Sequence, residues 1–201
     1  MKKTICIIAL GCWFGIGCTS EETYNKELLS EDVMEQRGLY NLINRLTSKS
    51  TSVQHKQSLQ QLILQIEATA LEDPDFEALV DENYTTPLAA DIEALLNDAD
   101  AVLAGLDIKT SVKSYVHSVL STTTTTGLAT LCQTVGVDTS LTTDEKAMLI
   151  DVTELRTTQL LGNGEDDDWD TKEIIGYVQG YTQSKANAVL NVVIIEVLRA
   201  G

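Results

Sequence analysis

The sequence predicts an all-α protein, a compact bundle of about seven helices with a buried C-terminal helix. Apolar residues recur at intervals of three and four through most of the chain, which is the spacing of one helix face. No window alternates apolar and polar residues between turn signals, as a half-buried strand would. Because the 201 residues include only two Phe and two Trp, the expected core consists mainly of Leu, Ile and Val.

The first two predicted helices are separated by a Ser/Thr-rich segment. Helical spacing of apolar residues runs over 33–46, where a glycine at position 38 is a mild interruption. It stops at residues 47–52, which include only serine, threonine and one lysine. A cleaner helix follows over 59–70, with its apolar residues on one face, so we expect two amphipathic helices joined by a polar connection.

The only two prolines of the chain indicate two further helix starts. Asp73 and Thr86 each directly precede a proline, and a capping side chain followed by Pro is typical of the first turn of a helix. We expect a short helix at 75–81 and a longer one at 88–104. Gly105 lies where a helix commonly ends in a left-handed residue, so we expect it to close the longer helix.

The next part of the chain is expected to hold three helices. One begins near Lys109 and runs into five consecutive threonines at 122–126, whose branched side chains disfavour helix, so a kink or loop is expected there. A brief helical segment follows and ends at Gly136. The pattern Thr-Thr-Asp-Glu at 142–145 is a capping box that opens the third helix, and Gly162 closes it.

The last predicted helix opens at Asp170-Thr171-Lys172-Glu173 and runs to about residue 199. From residue 189 onward it is apolar on nearly every side, which predicts the buried centre of the bundle. Small residues also recur on it every four positions, a spacing that lets another helix approach closely. The alternatives for this small-residue ladder are packing inside one chain and a face for self-association; its members are Gly176, Gly180, Ser184 and Ala188.

The first eighteen residues have the order of a secretory signal peptide. Two lysines precede a charge-free apolar run, which ends in small residues and a cysteine before polar sequence. The run is shorter than the roughly 20 residues that cross a bilayer. Its end, Gly15-Ile16-Gly17-Cys18, resembles the lipobox of bacterial lipoproteins. The resemblance implies that residues 1–17 are removed and that the sulfur of Cys18 carries a diacylglycerol, with Cys12 as the alternative lipid site.

The lipoprotein resemblance also implies an organisation and a location for the mature chain. Residues 18–30 would be the lipidated N-terminus and a polar tether, and residues 31–201 a single helical domain. Thr19 permits sorting to the outer membrane, and Glu21-Glu22 resembles the export signals of surface lipoproteins. The expected location is therefore the bacterial outer membrane, facing the periplasm or the cell surface.

The charge of the chain excludes some partners. Removal of Lys2 and Lys3 with the signal peptide changes the formal charge from -16 to -18, which disfavours direct binding of nucleic acid and of anionic lipid surfaces. Once Cys18 is lipidated, Cys132 is the only remaining cysteine, so no intramolecular disulfide is expected. Expected partners are an envelope or extracellular protein or glycan, or a second copy of the chain.

An acidic loop before the last predicted helix is the one candidate metal site. Carboxylate and amide oxygens are the ligands that calcium prefers. The loop does not fit an EF-hand, because Asp168 stands where glycine is required and Ile174 where a bidentate glutamate is required. The alternative is a solvated loop in which Asp170 caps the next helix. No other cofactor is expected; the candidate calcium ligands are Asn163, Glu165, Asp166, Asp167, Asp168 and Asp170.

The sequence contains no recognisable catalytic motif. His55 and His117 are expected at the surface, and Cys132 is expected to behave as a small apolar residue. The first functional hypothesis is therefore a lipid-anchored, non-catalytic binding or structural protein. The second is an envelope hydrolase that uses carboxylates, which a pocket with two carboxyl groups of raised pKa would favour. The third is a subunit that self-assembles through its C-terminal helix.

Replacement of Cys18 tests the lipid anchor. We expect Cys18→Ala to abolish lipid labelling and to release the protein from the membrane fraction, because the several acyl chains of a lipoprotein are what hold it there. Metabolic labelling with a fatty acid and membrane fractionation measure both effects, with Cys12→Ala as the control. Unchanged labelling of the Cys18 variant would contradict the assignment.

Overall fold

The computed structural model describes residues 38–51, 58–162 and 167–201, with the side chain of Asp167 excepted. These residues belong to one compact unit. Within them the chain forms ten helices and no strand, so the all-α prediction is confirmed and the expected number of about seven is too low. The helices are α1 (38–50), α2 (Leu59–Leu71), α3 (Pro74–Glu77), α4 (Ala89–Asn97), α5 (Ala99–Gly105), α6 (Thr110–Ser121), α7 (Thr125–Val137), α8 (Thr143–Leu161), α9 (Asp167–Tyr181) and α10 (Lys185–Ala200).

Several predicted helix starts are confirmed by their caps. The side chain of Asp73 accepts a hydrogen bond from the backbone N–H of Asp75, and Pro74 occupies the first turn of α3. Thr142 and Glu145 form the predicted capping box of α8. The threonine run breaks the helix as expected, because α6 ends before Thr122 and α7 begins after it.

The long helix expected at 88–104 is two helices, α4 and α5. Asp98 ends α4 in a non-helical conformation, with φ −156° and ψ 84°, and its side chain accepts a hydrogen bond at 2.9 Å from the backbone N–H of Ala101. The same residue therefore ends one helix and caps the next. The start of α4 also differs from expectation, since Leu88 occupies the cap position and Thr86 does not cap the helix.

The glycines at the predicted helix ends do not act as left-handed caps. Gly105 is the last residue of α5, and the chain leaves that helix through the extended backbone of Leu106. Gly136 lies inside α7, which continues to Val137. Gly162 does follow α8, but with φ −81°. These helices end where the backbone becomes extended or turns, without the conformation that only glycine adopts easily.

The helix predicted to run from Asp170 to the C-terminus is also two helices. The first, α9, already begins at Asp167, so Asp170 lies inside it and does not cap it. The second, α10, begins after Ser184, whose hydroxyl accepts a hydrogen bond at 3.1 Å from the backbone N–H of Asn187. The spacing of four continued across this turn because Ser184 happens to be both small and a good cap.

The two helices form an antiparallel hairpin with very close contact between their backbones. A Cβ atom on Gly180 would lie 2.5 Å from the backbone carbonyl carbon and oxygen of Asn187, and one on Gly176 would lie 2.5 Å from Cδ1 of Ile195. Asn191 also donates a hydrogen bond from Nδ2 to the carbonyl oxygen of Gly176 at 3.0 Å. The small residues at these positions thus allow α9 and α10 to pack against each other in the hairpin.

This hairpin is the centre of the fold. Helix α9 packs against α4, α5, α6 and α8, and α10 packs against α2. Almost every residue of α10 from Ala186 to Val197 is buried, which confirms the prediction of a buried C-terminal helix.

At the periphery, Arg45 of α1 forms an ion pair with the buried Asp73 at 2.8 Å. None of the helices described is both long and apolar enough to cross a membrane.

Replacement of Gly180 by alanine tests the close approach of α9 and α10. We expect Gly180→Ala to lower the free energy of unfolding by about 1–3 kcal/mol, because the new methyl group meets backbone that has nowhere to move. Gly136 is the matched control, since a Cβ there meets nothing within 4 Å. Gly136→Ala should be neutral or stabilising by up to about 1 kcal/mol. Chemical denaturation of the full chain measures both; equal effects would contradict the packing.

Candidate ligand-binding site

A cleft of about 770 Å³ opens beside the turn between α9 and α10. It is formed by segments far apart in the sequence, namely the α3–α4 and α5–α6 connections, the first turns of α6 and α8, and the turn itself. Its volume lies within the range of about 300–1,000 Å³ that is typical of small-molecule sites. The residues that line it are Asp81, Asp107, Ile108, Lys109, Val112, Asp144, Glu145, Met148, Tyr181, Thr182, Gln183, Ser184 and Lys185.

One wall of the cleft is fixed by hydrogen bonds around the α9–α10 turn. Thr85, in the α3–α4 connection, donates its backbone N–H to Oδ1 of Asn187 at 3.3 Å and its hydroxyl to Oε1 of Gln183 at 3.0 Å. Asn187 in turn accepts the hydroxyl proton of Ser184 at 2.8 Å. These bonds hold the α3–α4 connection, including Asp81, against the start of α10.

The opposite wall is held by an ion pair between the α5–α6 connection and α8. Nζ of Lys109 lies 2.8 Å from Oε2 of Glu145 and donates to the carbonyl oxygen of Ser140 at 3.1 Å. Glu145 also accepts the backbone N–H of Thr142 at 2.7 Å, as the capping box requires. The hydrogen bond from Lys109 is the main cause that lowers the pKa of Glu145, so this carboxylate is ionised at neutral pH.

The floor of the cleft is apolar. Val112 and Met148 are buried in the core, while Ile108 and Tyr181 are half-buried. Burial, and then the negative charges of Asp151 and Asp144, raise the pKa of Tyr181 to about 12. The tyrosine is therefore neutral at physiological pH and lies in a negative potential.

Below the floor, a buried carboxylate connects the three central helices. Asp151 of α8 accepts the hydroxyl proton of the fully buried Tyr177 at 2.6 Å and lies 3.2 Å from Nζ of Lys185. One helical turn further, burial and the charge of Asp151 raise the pKa of Glu154 to about 7. The Oε2 atom of Glu154 is buried and has no hydrogen-bond partner among the residues that the structure describes. Lys185 is thus engaged with Asp151 at the edge of the cleft.

A second polar cluster lies at the other end of the hairpin, around a small cavity of about 170 Å³. Asp170 is buried and forms ion pairs with Arg156 at 3.1 Å and Arg199 at 3.4 Å. Glu173 accepts a hydrogen bond from Arg199 at 3.3 Å, and Glu196 also lines the cavity. No pattern in the sequence indicates this group, because its residues come from three helices and form no motif.

Burial raises the pKa of two carboxyl groups in this cluster. It is the main cause that raises the pKa of Glu173 to about 7, and the charge of Glu196 adds to it. A hydrogen bond of 2.8 Å from Nε2 of Gln159 and the charge of Arg199 oppose the shift. Burial also raises the pKa of Glu196, which accepts the hydroxyl proton of Thr47 at 2.6 Å. The small cavity is thus lined by two carboxyl groups of raised pKa.

The predicted calcium ligands do not come together in the described part of the loop. Asn163, Glu165, Asp166 and the side chain of Asp167 lie outside the described residues. Asp168 is exposed and forms an ion pair with Lys172. Asp170 is buried and pairs with Arg156 and Arg199. Among the residues that the structure describes, no group of three potential ligands converges to hold a metal ion.

The small-residue ladder lies inside the protein. Gly176, Gly180, Ser184 and Ala188 are all buried, and the first two face the partner helix of the hairpin. A second copy of the chain would have to displace α10 to reach them. Of the two alternatives for the ladder, the contacts therefore favour packing within one chain.

The remaining candidate residues of the sequence are dispersed. His117 is exposed on α6, as expected, whereas His55 and Cys18 lie outside the described residues. Cys132 is half-buried on α7 and lines a shallow cavity with Glu154, away from the cleft.

Comparison of the chain with protein-family models, with curated proteins and with solved structures finds no match in any of the three. The cleft is therefore interpreted from its own geometry. No residue pattern in the sequence indicates it, because its walls come from five segments between Asp81 and Lys185. The nearest signal was the capping box at Thr142, which places Glu145 on one wall.

The raised pKa of Glu173 predicts a pH-dependent stability. Between its ordinary value of 4.5 and its native value of about 7, the native protein binds more protons than the unfolded chain. The free energy of unfolding should therefore fall as pH rises through that window, by at most about 1.4 kcal/mol per pH unit for each proton. Glu173→Gln should reduce this slope and be more stable than the parent protein at pH 8.

Glu145 provides the matched control for this experiment. Its pKa is lowered, so the stability that it contributes changes only below its ordinary value of 4.5. Glu145→Gln should therefore lower stability equally at pH 5 and pH 8 and leave the slope unchanged. Urea denaturation at a series of pH values measures these differences. An unchanged slope in Glu173→Gln would show that the burial of this carboxyl group is not its source.

Proposed function

We propose that the protein is a lipid-anchored, non-catalytic binding protein of the bacterial outer membrane that takes a small ligand in the cleft beside the α9–α10 turn. The observation that carries this proposal is the cleft itself, about 770 Å³ in volume, with an apolar floor and a charged rim. An apolar cavity with a few fixed polar groups is the usual form of a small-molecule site. Both walls are anchored by hydrogen bonds, so the site is formed before a ligand arrives.

The polar atoms of the cleft support binding rather than chemistry. Lys109 is engaged by Glu145, Lys185 by Asp151, and the hydroxyl of Ser184 by the side chain and backbone of α10. Catalysis by a serine needs a general base within hydrogen-bond reach of its hydroxyl, whereas the hydroxyl of Ser184 donates to the amide oxygen of Asn187. Groups that are fixed by neighbours instead shape the site and its electrostatic potential.

Attachment to the membrane is the part of the proposal that rests on sequence alone. Cys18 follows a signal-peptide-like run, and its lipidation would hold the helical domain at the outer membrane, facing the periplasm or the cell surface. The formal charge of the chain keeps that domain away from anionic lipid. The Cys18→Ala variant described above tests this part separately from the cleft.

An envelope hydrolase is the second candidate function, and the cluster around Glu173 favours it. A carboxyl group with a pKa of about 7 suits a general acid at neutral pH, and Glu196 lies at the same cavity. The cavity of about 170 Å³ is small, however, and its acids face two arginines. If this function were correct, Glu173→Gln would abolish hydrolysis while the protein remained folded.

A bulky residue at the rim of the cleft tests the proposed binding function. Thr182 is exposed and lines the cleft, and its hydroxyl bonds only to the backbone of its own helix at 2.7 Å. We expect Thr182→Trp to weaken binding of small molecules by at least about tenfold, equivalent to about 1.4 kcal/mol. The measurement is ligand-observed NMR of the full chain against a library of cationic, neutral and anionic fragments.

Thr130→Trp is the matched control, because Thr130 is exposed on α7 and its hydroxyl also bonds to its own helix, at 3.0 Å. It lies outside the lining of the cleft. This variant should keep the affinity of the parent protein. Absence of any saturable binding, or binding that the Thr182 variant retains in full, would contradict a ligand site in the cleft.

A further inference from the structure

The charges at the rim of the cleft are unbalanced. Asp81, Asp107 and Asp144 line the cleft and are exposed, and none of them forms an ion pair with the residues that the structure describes. The backbone N–H of Asn83 donates to Asp81 at 2.9 Å, which fixes that carboxylate without neutralising it. Three negative charges thus surround the opening of an apolar cavity.

The two cations of the cleft do not compensate these carboxylates. Nζ of Lys109 lies 2.8 Å from Glu145 and 3.1 Å from the carbonyl oxygen of Ser140. Nζ of Lys185 lies 3.2 Å from Asp151. Each lysine is therefore already paired with an acid of its own and does not balance the charge of the rim. An anion would meet the three unbalanced aspartates.

The negative potential reaches the floor of the cleft. Apart from burial, the charges of Asp151 and Asp144 raise the pKa of the Tyr181 hydroxyl, which shows that both act at that depth. That hydroxyl has no hydrogen bond to the described part of the chain. A concave site with apolar walls concentrates such a field. The ring of a tyrosine also attracts a cation that lies over its face.

The other residues that line the cleft favour an organic ligand over a bare metal ion. Ile108 and the ring of Tyr181 present apolar surface above the buried Val112 and Met148, and an apolar group would cover that surface favourably. The described carboxylates of the cleft do not converge as the ligands of a metal ion do. The cavity therefore combines a place for an apolar body with a place for positive charge.

We propose that the cleft binds an organic cation, a molecule or peptide side chain that carries an amine or guanidinium group on an apolar body. The apolar body lies on Ile108 and Tyr181, and the positive group lies at the rim that carries Asp81, Asp107 and Asp144. This inference rests on the proposed binding function, since it names the chemical class of the ligand for that same cleft.

A series of three matched compounds tests the charge preference on the full chain. The compounds 2-(1-naphthyl)ethylamine, 2-(1-naphthyl)ethanol and 1-naphthylacetate share one aromatic body and differ in charge. We expect calorimetry at pH 7 to show that the amine binds at least about tenfold more tightly than the alcohol, and the carboxylate more weakly than the alcohol. High salt should weaken only the binding of the amine, because it screens exposed charges.

Neutralisation of the rim identifies the residues responsible. Asp107→Asn/Asp144→Asn should reduce the affinity for the amine to that of the alcohol and leave the alcohol unchanged. Asp91→Asn/Glu93→Gln is the matched control, because it removes two exposed acids of α4 that do not line the cleft. A rim variant that keeps the full preference for the amine would overturn the inference.

The outcomes separate the inference from the function on which it rests. Equal binding of the amine and the alcohol, or tighter binding of the carboxylate, would overturn the cationic class while the Thr182→Trp result still supports a ligand site. Failure of all three compounds to bind would overturn the inference as well. If no member of the larger fragment library bound in a Thr182-dependent manner, the proposed function would fail with it.

Discussion

The rest of the structure depends on the close approach of α9 and α10. Their backbones touch at Gly180, where even a methyl group would overlap with the backbone of Asn187, and at Gly176 it would overlap with the side chain of Ile195. The buried aliphatic side chains of α10 pack against α9 and α2. Dense packing of this kind gains dispersion energy that a wider gap would lose. The remaining helices pack around the hairpin.

The candidate site is a consequence of how this hairpin turns. The chain reverses at Thr182 and Gln183, and Ser184 caps α10. The reversal leaves a concave surface that the α5–α6 connection and the start of α8 enclose. The charges of the site are also linked to the core, since Lys185 at the rim pairs with Asp151, which accepts a hydrogen bond from buried Tyr177. The buried hairpin therefore positions the residues at the rim of the cleft.

The sequence was informative where a local signal decides the structure. The capping box at Thr142, the Asp73–Pro74 start and the threonine break all depend on neighbours within four residues, and all were predicted correctly. The breaks at Asp98 and Ser184 were missed, because helical spacing of apolar or small residues continued across both. The cleft was missed for a different reason: its walls are brought together by tertiary packing, which periodicity does not describe.

The buried charges of α8 have a further consequence. Much of the buried surface of the hairpin is aliphatic, and hydrophobic contact by itself is not directional. Asp151 of α8 accepts the hydroxyl proton of Tyr177 on α9 and also pairs with Lys185, and Arg156 of α8 pairs with Asp170 on α9. Sliding α8 by a single turn along α9 would separate these buried partners, and breaking a buried pair costs about 3–5 kcal/mol. We infer that these polar pairs fix the position of α8 along α9 and so select one alignment of the core helices.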